Sequence, residues 1–216
     1  MGKRGPTPKV IDTTWRPELA YVVGIFASDG NLGKDGMYLD VTSKDKEIVE
    51  NVKDILDMRH IKIGKKISGT GNWAYRVQFK RVLFHTWLVS IGLTPEKSKT
   101  ISKIKVPNEF FFDFLRGEWD GDGTIYISKD KRWKNSHIVT LGFASGSEQF
   151  LIWLQKEINK RLRTTGHIHR GQRATQLRYA RTDSRKVFDA MFYAKNLPHL
   201  PRKFAKAQKI FTMTGL

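Results

Sequence analysis

The stretch VVGIFASDG at residues 22–30 recurs, with the same spacing of glycine, small residue, aspartate and glycine, as LRGEWDGDG at residues 115–123. The matching positions keep a constant offset, 122 − 29 = 93 residues. They are Gly24 with Gly117, Ser28 with Gly121, Asp29 with Asp122, and Gly30 with Gly123. The repeat therefore places two aspartates in equivalent positions.

Each copy of the repeat is predicted to form a helix that ends at its last glycine. The first helix begins at Pro17 and the second is capped by Asn108. In both helices two small residues lie four apart, on one face, where a second backbone can approach closely. We therefore expect the two helices to pack side by side, with Asp29 next to Asp122 at their C-terminal ends.

Two neighbouring carboxylates carry an electrostatic cost. At a separation of about 5 Å and an effective dielectric of about 20 they repel by about 3 kcal/mol, and the negative helix ends add to this. A hard divalent cation such as Mg²⁺ would balance the charge and binds oxygen ligands. A single Asp-Gly pair would indicate only a helix end with a left-handed glycine, but two copies in register favour a site.

The sequence after each copy repeats as well. After the first copy come a strand (MYLDVTS), a helix (KDKEIVENVKDIL), two strands (IKIGKKI and WAYRVQF) and a helix (VLFHTWLVSIGL), and the second copy is followed by the same order. This predicts an α+β fold of two pseudo-symmetric αββαββα halves, each an antiparallel sheet covered by helices, joined through the two packed helices. We assign residues 1–12 to a basic N-terminal arm, 13–105 to the first half and 106–216 to the second half.

This doubled arrangement resembles the LAGLIDADG homing endonucleases in their single-chain form, over nearly the whole chain. VVGIFASDG and LRGEWDGDG stand where that family has its namesake motif. The first copy has Ala27 where the motif has its earlier acidic residue, and the second keeps Asp120, to which we assign a structural role. In the family the last acidic residue of each motif binds the catalytic metal ions, so the resemblance assigns Asp29 and Asp122 as metal ligands and catalytic residues.

The resemblance implies a site-specific double-strand DNA endonuclease with a long asymmetric target and a role in intron or intein mobility. It implies Mg²⁺ as cofactor, with Mn²⁺ able to substitute and Ca²⁺ supporting binding without cleavage. Lys97 and Lys203 follow equivalent helices, each is expected to have a helical segment after it, and the resemblance gives both a catalytic role. The alternative is an intron RNA maturase or a non-cutting nucleic-acid binder on the same fold.

The net charge agrees with a polyanionic partner. The 216 residues carry a formal charge of +18. The longest apolar run, LAYVVGIFA, is too short to span a bilayer, and no signal peptide opens the sequence, so nucleic acid is favoured over membrane. We expect an intracellular protein, in the cytoplasm or nucleoid or inside an organelle. Because one chain holds both halves, we also expect a monomer.

Alternation along the strands predicts which sheet faces meet DNA. Apolar residues of IKIGKKI (Ile61, Ile63 and Ile67) share one face, which leaves the basic and amide residues on the other. Such faces fit a major groove, where Arg reads guanine and Gln reads adenine, although the same alternation occurs in ordinary solvent-facing sheets. The predicted contacts are Lys62, Lys66, Arg76, Gln78, Lys80, Lys129, Arg132, Lys134, His167, His169, Arg170, Arg173, Gln176, Arg178 and Arg181. Arg76 and Arg178 are predicted to occupy matching places.

Other metal sites are weakly supported. His167 and His169 face the same side of a strand, but no third zinc ligand lies nearby in the sequence. DGDGTIYISKDK begins like a calcium loop but has Ile125 at the turn position that requires glycine. By resemblance to the family, polar residues that organise water should follow the second strand of each half, where this chain has Ser43 and Ser145, with Glu47 and Gln149 one turn further.

Overall fold

The computed structural model describes residues 10–67, 71–130, 137–171 and 174–216. Three of the predicted DNA contacts, Arg132, Lys134 and Arg173, lie outside the described residues. Within the described ranges the chain forms two four-stranded antiparallel sheets and seven α-helices. None of the described helices is long and apolar enough to cross a bilayer.

The first half contains one sheet with strand order β1-β2-β4-β3. Its elements are helix α1 (Pro17–Ser28), strands β1 (Gly30–Leu32) and β2 (Tyr38–Ser43), helix α2 (Lys46–Ile55), strands β3 (Gly64–Ile67) and β4 (Trp73–Lys80), and helix α3 (Val82–Ser90). A proline in the first turn starts α1, where its missing N–H costs no hydrogen bond.

The second half repeats this topology, with strand order β5-β6-β8-β7. After a 3₁₀ turn (Asn108–Phe110) come helix α4 (Phe111–Asp122), strands β5 (Thr124–Lys129) and β6 (His137–Ser145), helix α5 (Glu148–Leu162), strands β7 (His167–Arg170) and β8 (Thr175–Ala180), and helices α6 (Thr182–Met191) and α7 (Pro201–Thr214). The predicted α+β fold of two pseudo-symmetric halves is confirmed.

Two details at the predicted boundaries differ from expectation. Asn108 does not cap α4, because the 3₁₀ turn delays the helix start to Phe111, and its side-chain oxygen instead accepts a 2.7 Å hydrogen bond from Arg161. Ile11 is only 8% exposed and belongs to the core, so the end of the predicted N-terminal arm packs with the first half. The boundary at residues 105 and 106 stays a prediction.

One face of each sheet is covered by helices and the other is left open. Helices α2 and α3 pack on the first sheet, and α5, α6 and α7 pack on the second. Because side chains alternate along a strand, this buries Val77 and Leu177 while their neighbours face outward. Ile61 and Ile63 pack against the core as predicted. Ile67 also lies on this side, because it pairs with Trp73, but it is 71% exposed and does not join the core.

The two halves meet where α1 and α4 touch backbone to backbone. A Cβ atom added to Gly24 would lie 2.1 Å from the carbonyl oxygen of Phe114, and one added to Gly117 would lie 2.0 Å from that of Tyr21. Neither distance is compatible with a side chain, so only glycine permits this approach. We call this contact between α1 and α4 the seam. It is the packing that the stripe of small residues predicts.

Candidate metal centre and nucleic-acid interface

The seam brings Asp29 and Asp122 to the same end of the molecule. Asp29 is the C-cap of α1, with its N–H bonded to the carbonyl of Ile25 at 2.9 Å, and Asp122 is the last residue of α4. A Cβ atom on Gly121, the residue before Asp122, would lie 3.5 Å from the carboxyl carbon of Asp29. The two carboxylates therefore belong to one site at the bottom of the seam.

The glycines that follow the aspartates do not act as left-handed helix caps. Gly123 has φ −77° and ψ 160°, which is extended backbone, and it leads directly into β5. It is required instead by close packing, since a Cβ atom there would lie 2.2 Å from the ring of Trp119. The Asp-Gly pairs do end the two helices, but the expected left-handed glycine is wrong for both, since neither glycine has a positive φ.

The site disfavours the charged form of both aspartates. The pKa of Asp29 is raised to about 6, first by burial and then by the Asp122 charge, against the lowering effect of Lys203, Lys97 and the nearby Ser43 hydroxyl. Burial likewise raises the pKa of Asp122, against the lowering effect of the two lysines. Both carboxyl groups would thus gain from a cation beside them.

The donor set fits a hard divalent ion that keeps some of its water. Two aspartates supply oxygen ligands, and no cluster of three or more His, Cys, Asp or Glu side chains able to hold a metal ion occurs in the described part of the chain. Mg²⁺ commonly binds through one or two carboxylates, with water and substrate phosphate completing its coordination. Zinc binding by His167 and His169 has no third ligand among the residues that the structure places.

Lys97 and Lys203 lie at the ends of the two seam helices but differ in their bonding. Lys203 donates three hydrogen bonds, to the carbonyl oxygens of Trp119 (2.8 Å), Gly121 (2.9 Å) and Gly123 (2.7 Å). Among the residues that the structure describes, Lys97 donates one, at 3.3 Å, to the carbonyl oxygen of Ser28.

Their local structures differ too. Lys203 is in the first turn of α7, as expected, but the helix predicted after Lys97 is absent. Residues 91–107 form turns and extended backbone, with positive φ at Gly92 (111°) and Glu96 (57°). Both of these residues precede Lys97. After it, the N–H groups of Thr100 and Ile101 bond to the Lys97 carbonyl at 3.0 and 2.8 Å, which closes a single turn that does not continue as a helix.

Sequence reasoning missed Glu118, which is buried in the seam. Its side chain is 1% exposed, and its Oε2 atom has no hydrogen-bond partner among the described residues. Burial raises its pKa well above the usual value, and Asp122 adds to this. The equivalent residue in the first helix is Ile25. The sequence signal was therefore a charged residue at a position that is aliphatic in the other copy.

Asp120 joins the two halves. Its Oδ2 atom accepts hydrogen bonds from the Tyr21 hydroxyl at 3.0 Å and from the Leu200 N–H at 2.7 Å. Burial raises its pKa to about 6, although these two bonds favour the charged form. The contacts tie α4 to α1 and to the start of α7, which agrees with the structural role that we assign to it.

Comparison with known proteins gives matches in structure only. No protein-family model matches the chain, and no curated protein matches it. The homing endonuclease I-WcaI bound to its DNA recognition sequence aligns with TM-score 0.61 and 14% identity, over 92% of this chain and 87% of that one. The complex of I-DmoI with DNA and Ca aligns with TM-score 0.58 and 15% identity, over 89% and 97%.

The chain has the LAGLIDADG fold. The same fold extends beyond homing endonucleases, because the N-terminal LAGLIDADG domain of DUF199/WhiA aligns with TM-score 0.56 and 12% identity, over 86% of each chain. The resemblance inferred from the two motifs is thereby confirmed at the level of fold.

The open face of the first LAGLIDADG sheet carries an ion pair that the sequence did not reveal. Arg76 contacts Asp40 at 3.0 Å, and Asp40 also accepts a hydrogen bond from Asn31 at 3.1 Å. Burial opposes ionisation of Asp40, but these donors and the Thr42 hydroxyl outweigh it and lower its pKa. Arg76 is thus already partly neutralised, whereas Gln78 on the same face is exposed.

Strand register corrects the predicted equivalence of Arg76 and Arg178. Asn31 lies two residues after the first aspartate. The strand pairing carries this position from Asn31 across the central strand of the sheet to Gln78. Thr124, two residues after the second aspartate, leads in the same way to Arg178. The equivalent of Arg178 is therefore Gln78, so each half presents an arginine and a glutamine in exchanged positions. Matching by residue type alone missed this, because both strands contain an arginine near their middle.

The open face of the second sheet collects four of the predicted contacts. His167 pairs with Arg178 and His169 pairs with Gln176, so the four side chains share one side. Arg178 donates to the Gln176 amide oxygen at 2.7 and 2.9 Å. Burial and the Arg178 charge lower the pKa of His169, which favours its neutral form.

Several predicted contacts lie elsewhere. Arg170 is on the helix-covered side of its strand, where Glu148 of α5 binds it at 2.5 Å, and Arg181 is paired with Asp130 at 2.5 Å. Lys129, the last residue of β5, lies on the same, helix-covered side of the sheet as Arg170. The structure places the remaining predicted contacts of the first half as follows: Lys62 is exposed before β3, and Lys66 and Lys80 are exposed on the Arg76 face.

Proposed function

We propose that the protein is a site-specific double-strand DNA endonuclease that depends on divalent metal ions. The observation that carries the proposal is the pairing of Asp29 and Asp122 at one end of a seam that only glycine permits. A protein that merely binds nucleic acid has no use for two mutually repelling carboxylates in this position. The I-DmoI structures, solved with DNA and Ca and with DNA and Mn, support a metal-dependent reaction on DNA.

In this proposal Asp29 and Asp122 hold Mg²⁺, with Mn²⁺ able to replace it and Ca²⁺ supporting binding alone. When bound, the metal lowers the pKa of a coordinated water and offsets charge on the phosphate. The chain itself fixes the two carboxylates through the rigid ends of α1 and α4. Lys97 and Lys203 place two ammonium groups nearby, and their positive charge offsets negative charge that develops on a phosphate under attack, without requiring that both contact it.

The two open sheet faces supply the DNA-binding surface. A β-sheet face can enter the major groove, where arginine reads guanine and glutamine reads adenine. Because Arg178 occupies the place that Gln78 has in the first half, the two halves read different bases, and the target is asymmetric. The net charge of +18 supplies affinity for the phosphate backbone. A single chain carries both halves, so we propose that it acts as a monomer.

The test is cleavage of a plasmid library that contains randomised duplex targets. Incubation with Mg²⁺ should give linear product from a subset of plasmids, and Ca²⁺ should give bound but uncut DNA. Asp29→Asn and Asp122→Asn should each remove cleavage while binding persists. Asp189→Asn, which changes an exposed aspartate of α6, serves as the control and should cut normally.

The second candidate is a non-cutting nucleic-acid binder, including an intron RNA maturase. It is kept because the fold also occurs in the WhiA domain. Tight, sequence-specific binding to a selected duplex, with no cut product in Mg²⁺ or Mn²⁺, would favour this candidate over the endonuclease. Preferential binding to structured RNA would favour the maturase.

A further inference from the structure

The two lysines of the site differ in how many hydrogen-bond donors they have left. A lysine ammonium group carries three N–H donors. Lys203 uses all three on carbonyl oxygens at the end of α4. Any contact from Lys203 to a substrate phosphate would therefore have to break a bond that caps the helix.

Lys97 is buried to a similar degree but is much less satisfied. It is 6% exposed, against 9% for Lys203, and among the described residues its ammonium group makes a single hydrogen bond of 3.3 Å, to Ser28. Buried polar groups normally find their partners, and a buried charge has a particularly strong need for them. Two unused donors beside two carboxylates indicate a place where a ligand oxygen completes the set.

The surroundings of the two lysines are unequal as well. The positive charge of Lys203 interacts with the carboxylates of Glu118 and Asp120, both buried in α4, in addition to that of Asp29. Lys97 faces Asp122 and Asp29. The equivalent of Glu118 in the first half is Ile25, so that half has no additional buried carboxylate at this position to compete for the Lys97 charge.

We propose that Lys97 is a catalytic residue that donates hydrogen bonds to one of the two scissile phosphates, that Lys203 is committed to capping α4, and that the two DNA strands are consequently cut at different rates. The inference rests on the proposed endonuclease function. In each hydrolysis a water oxygen bonds to phosphorus and one phosphorus–oxygen ester bond breaks. The departing oxygen takes up one proton, so one water is divided between the phosphate and the freed hydroxyl and no redox change occurs.

The test uses a duplex target selected from the randomised library, with each strand carrying its own fluorescent label. Single-turnover reactions in Mg²⁺ give a separate cleavage rate for each strand. In the native protein one strand should be cut first, and nicked duplex should accumulate before linear product. Lys97→Gln keeps a donor for the Ser28 carbonyl but removes the charge. It should slow the faster strand by about 100-fold, the size typical of one lost transition-state donor, and leave the slower strand nearly unchanged.

Lys203→Gln should behave differently. Because a glutamine amide has two N–H donors, at least one of the three carbonyls loses its donor, so Lys203→Gln should lower the melting temperature and slow both strands by the same factor. Lys99→Gln and Lys206→Gln change exposed lysines in the same two segments and should match the native protein. If Lys97→Gln fails to fold, which its melting curve shows, Lys97→Met provides the neutral variant.

The outcomes separate this inference from the proposed function. Equal rates on both strands in the native protein, or an equal effect of Lys97→Gln on both, would overturn the lysine asymmetry while leaving the endonuclease intact. Selective slowing of one strand by Lys203→Gln, with no loss of stability, would reverse the two assignments. Absence of any cleavage by the native protein, with specific binding retained, would remove the endonuclease and the inference together.

Discussion

Replacing Asp29 with asparagine should make the metal-free protein more stable while it abolishes cleavage. The folded protein raises the pKa of Asp29 from 3.8 to about 6, so above that pH folding forces a carboxylate to ionise in an unfavourable place. A rise of this size corresponds to about 3 kcal/mol. Asp29 is partly open to solvent, and screening reduces the expected gain for Asp29→Asn to about 1–2 kcal/mol.

The pH dependence has a definite sign. Between about pH 4 and pH 6 the folded protein binds more protons at Asp29 than the unfolded chain does, so stability falls as pH rises through this window. Asparagine carries no charge in either state. The advantage of Asp29→Asn should therefore be complete at pH 8 and vanish at about pH 4.

The assay is thermal unfolding with a metal chelator present, from pH 4 to pH 8. For a chain of this length, about 1–2 kcal/mol corresponds to an increase of about 2–8 °C in melting temperature. Asp40→Asn is the matched control with the opposite sign, because its donors lower the pKa of Asp40 and its substitution should destabilise the protein at pH 8. A lower melting temperature for Asp29→Asn at pH 8, or a gain that persists at pH 4, would refute the reasoning.

Three further outcomes are expected. Gly117→Ala should destabilise the protein by about 3 kcal/mol in denaturant unfolding, because its methyl group meets backbone at 2.0 Å, whereas the same change at Gly64, where the nearest atom is 3.7 Å away, should be tolerated; similar losses for both would contradict the seam. Glu118→Met should raise stability at pH 8 by about 1 kcal/mol, since it removes a buried oxygen without a partner, and a clear loss would point to a contact of Glu118 that the structure does not contain. Binding to the selected DNA should weaken with salt with a log-log slope of about −7 for about eight neutralised phosphates, and a slope near zero would exclude the groove model.

The sequence predicted those features that depend on local pattern and on the repeat. The stripe that contains Gly24 and Gly117 was visible from its spacing alone, and it led directly to the pairing of Asp29 with Asp122. The order of helices and strands followed from alternating periodicities in two matching halves. Such features are encoded by neighbouring residues and need no knowledge of tertiary contacts.

Features that depend on strand register or on distant partners were not predictable. The equivalence of Arg178 with Gln78 requires the pairing across three strands, which the spacing of the sequence does not determine. The partner of Arg76 is Asp40, 36 residues away, and the three carbonyls held by Lys203 are more than 80 positions distant. Side chains committed to such contacts look like free surface residues in the sequence.

The seam also has a consequence for engineering. Because α1 and α4 touch through their backbones, the spacing between the two carboxylates is set by main-chain geometry, and the sheet faces have no part in it. Altering base preference through Gln78 or Arg178 should therefore leave the stagger between the two nicks unchanged. Chimeras built by exchanging whole halves with another protein should keep that stagger only where both parents supply glycine at the crossing point.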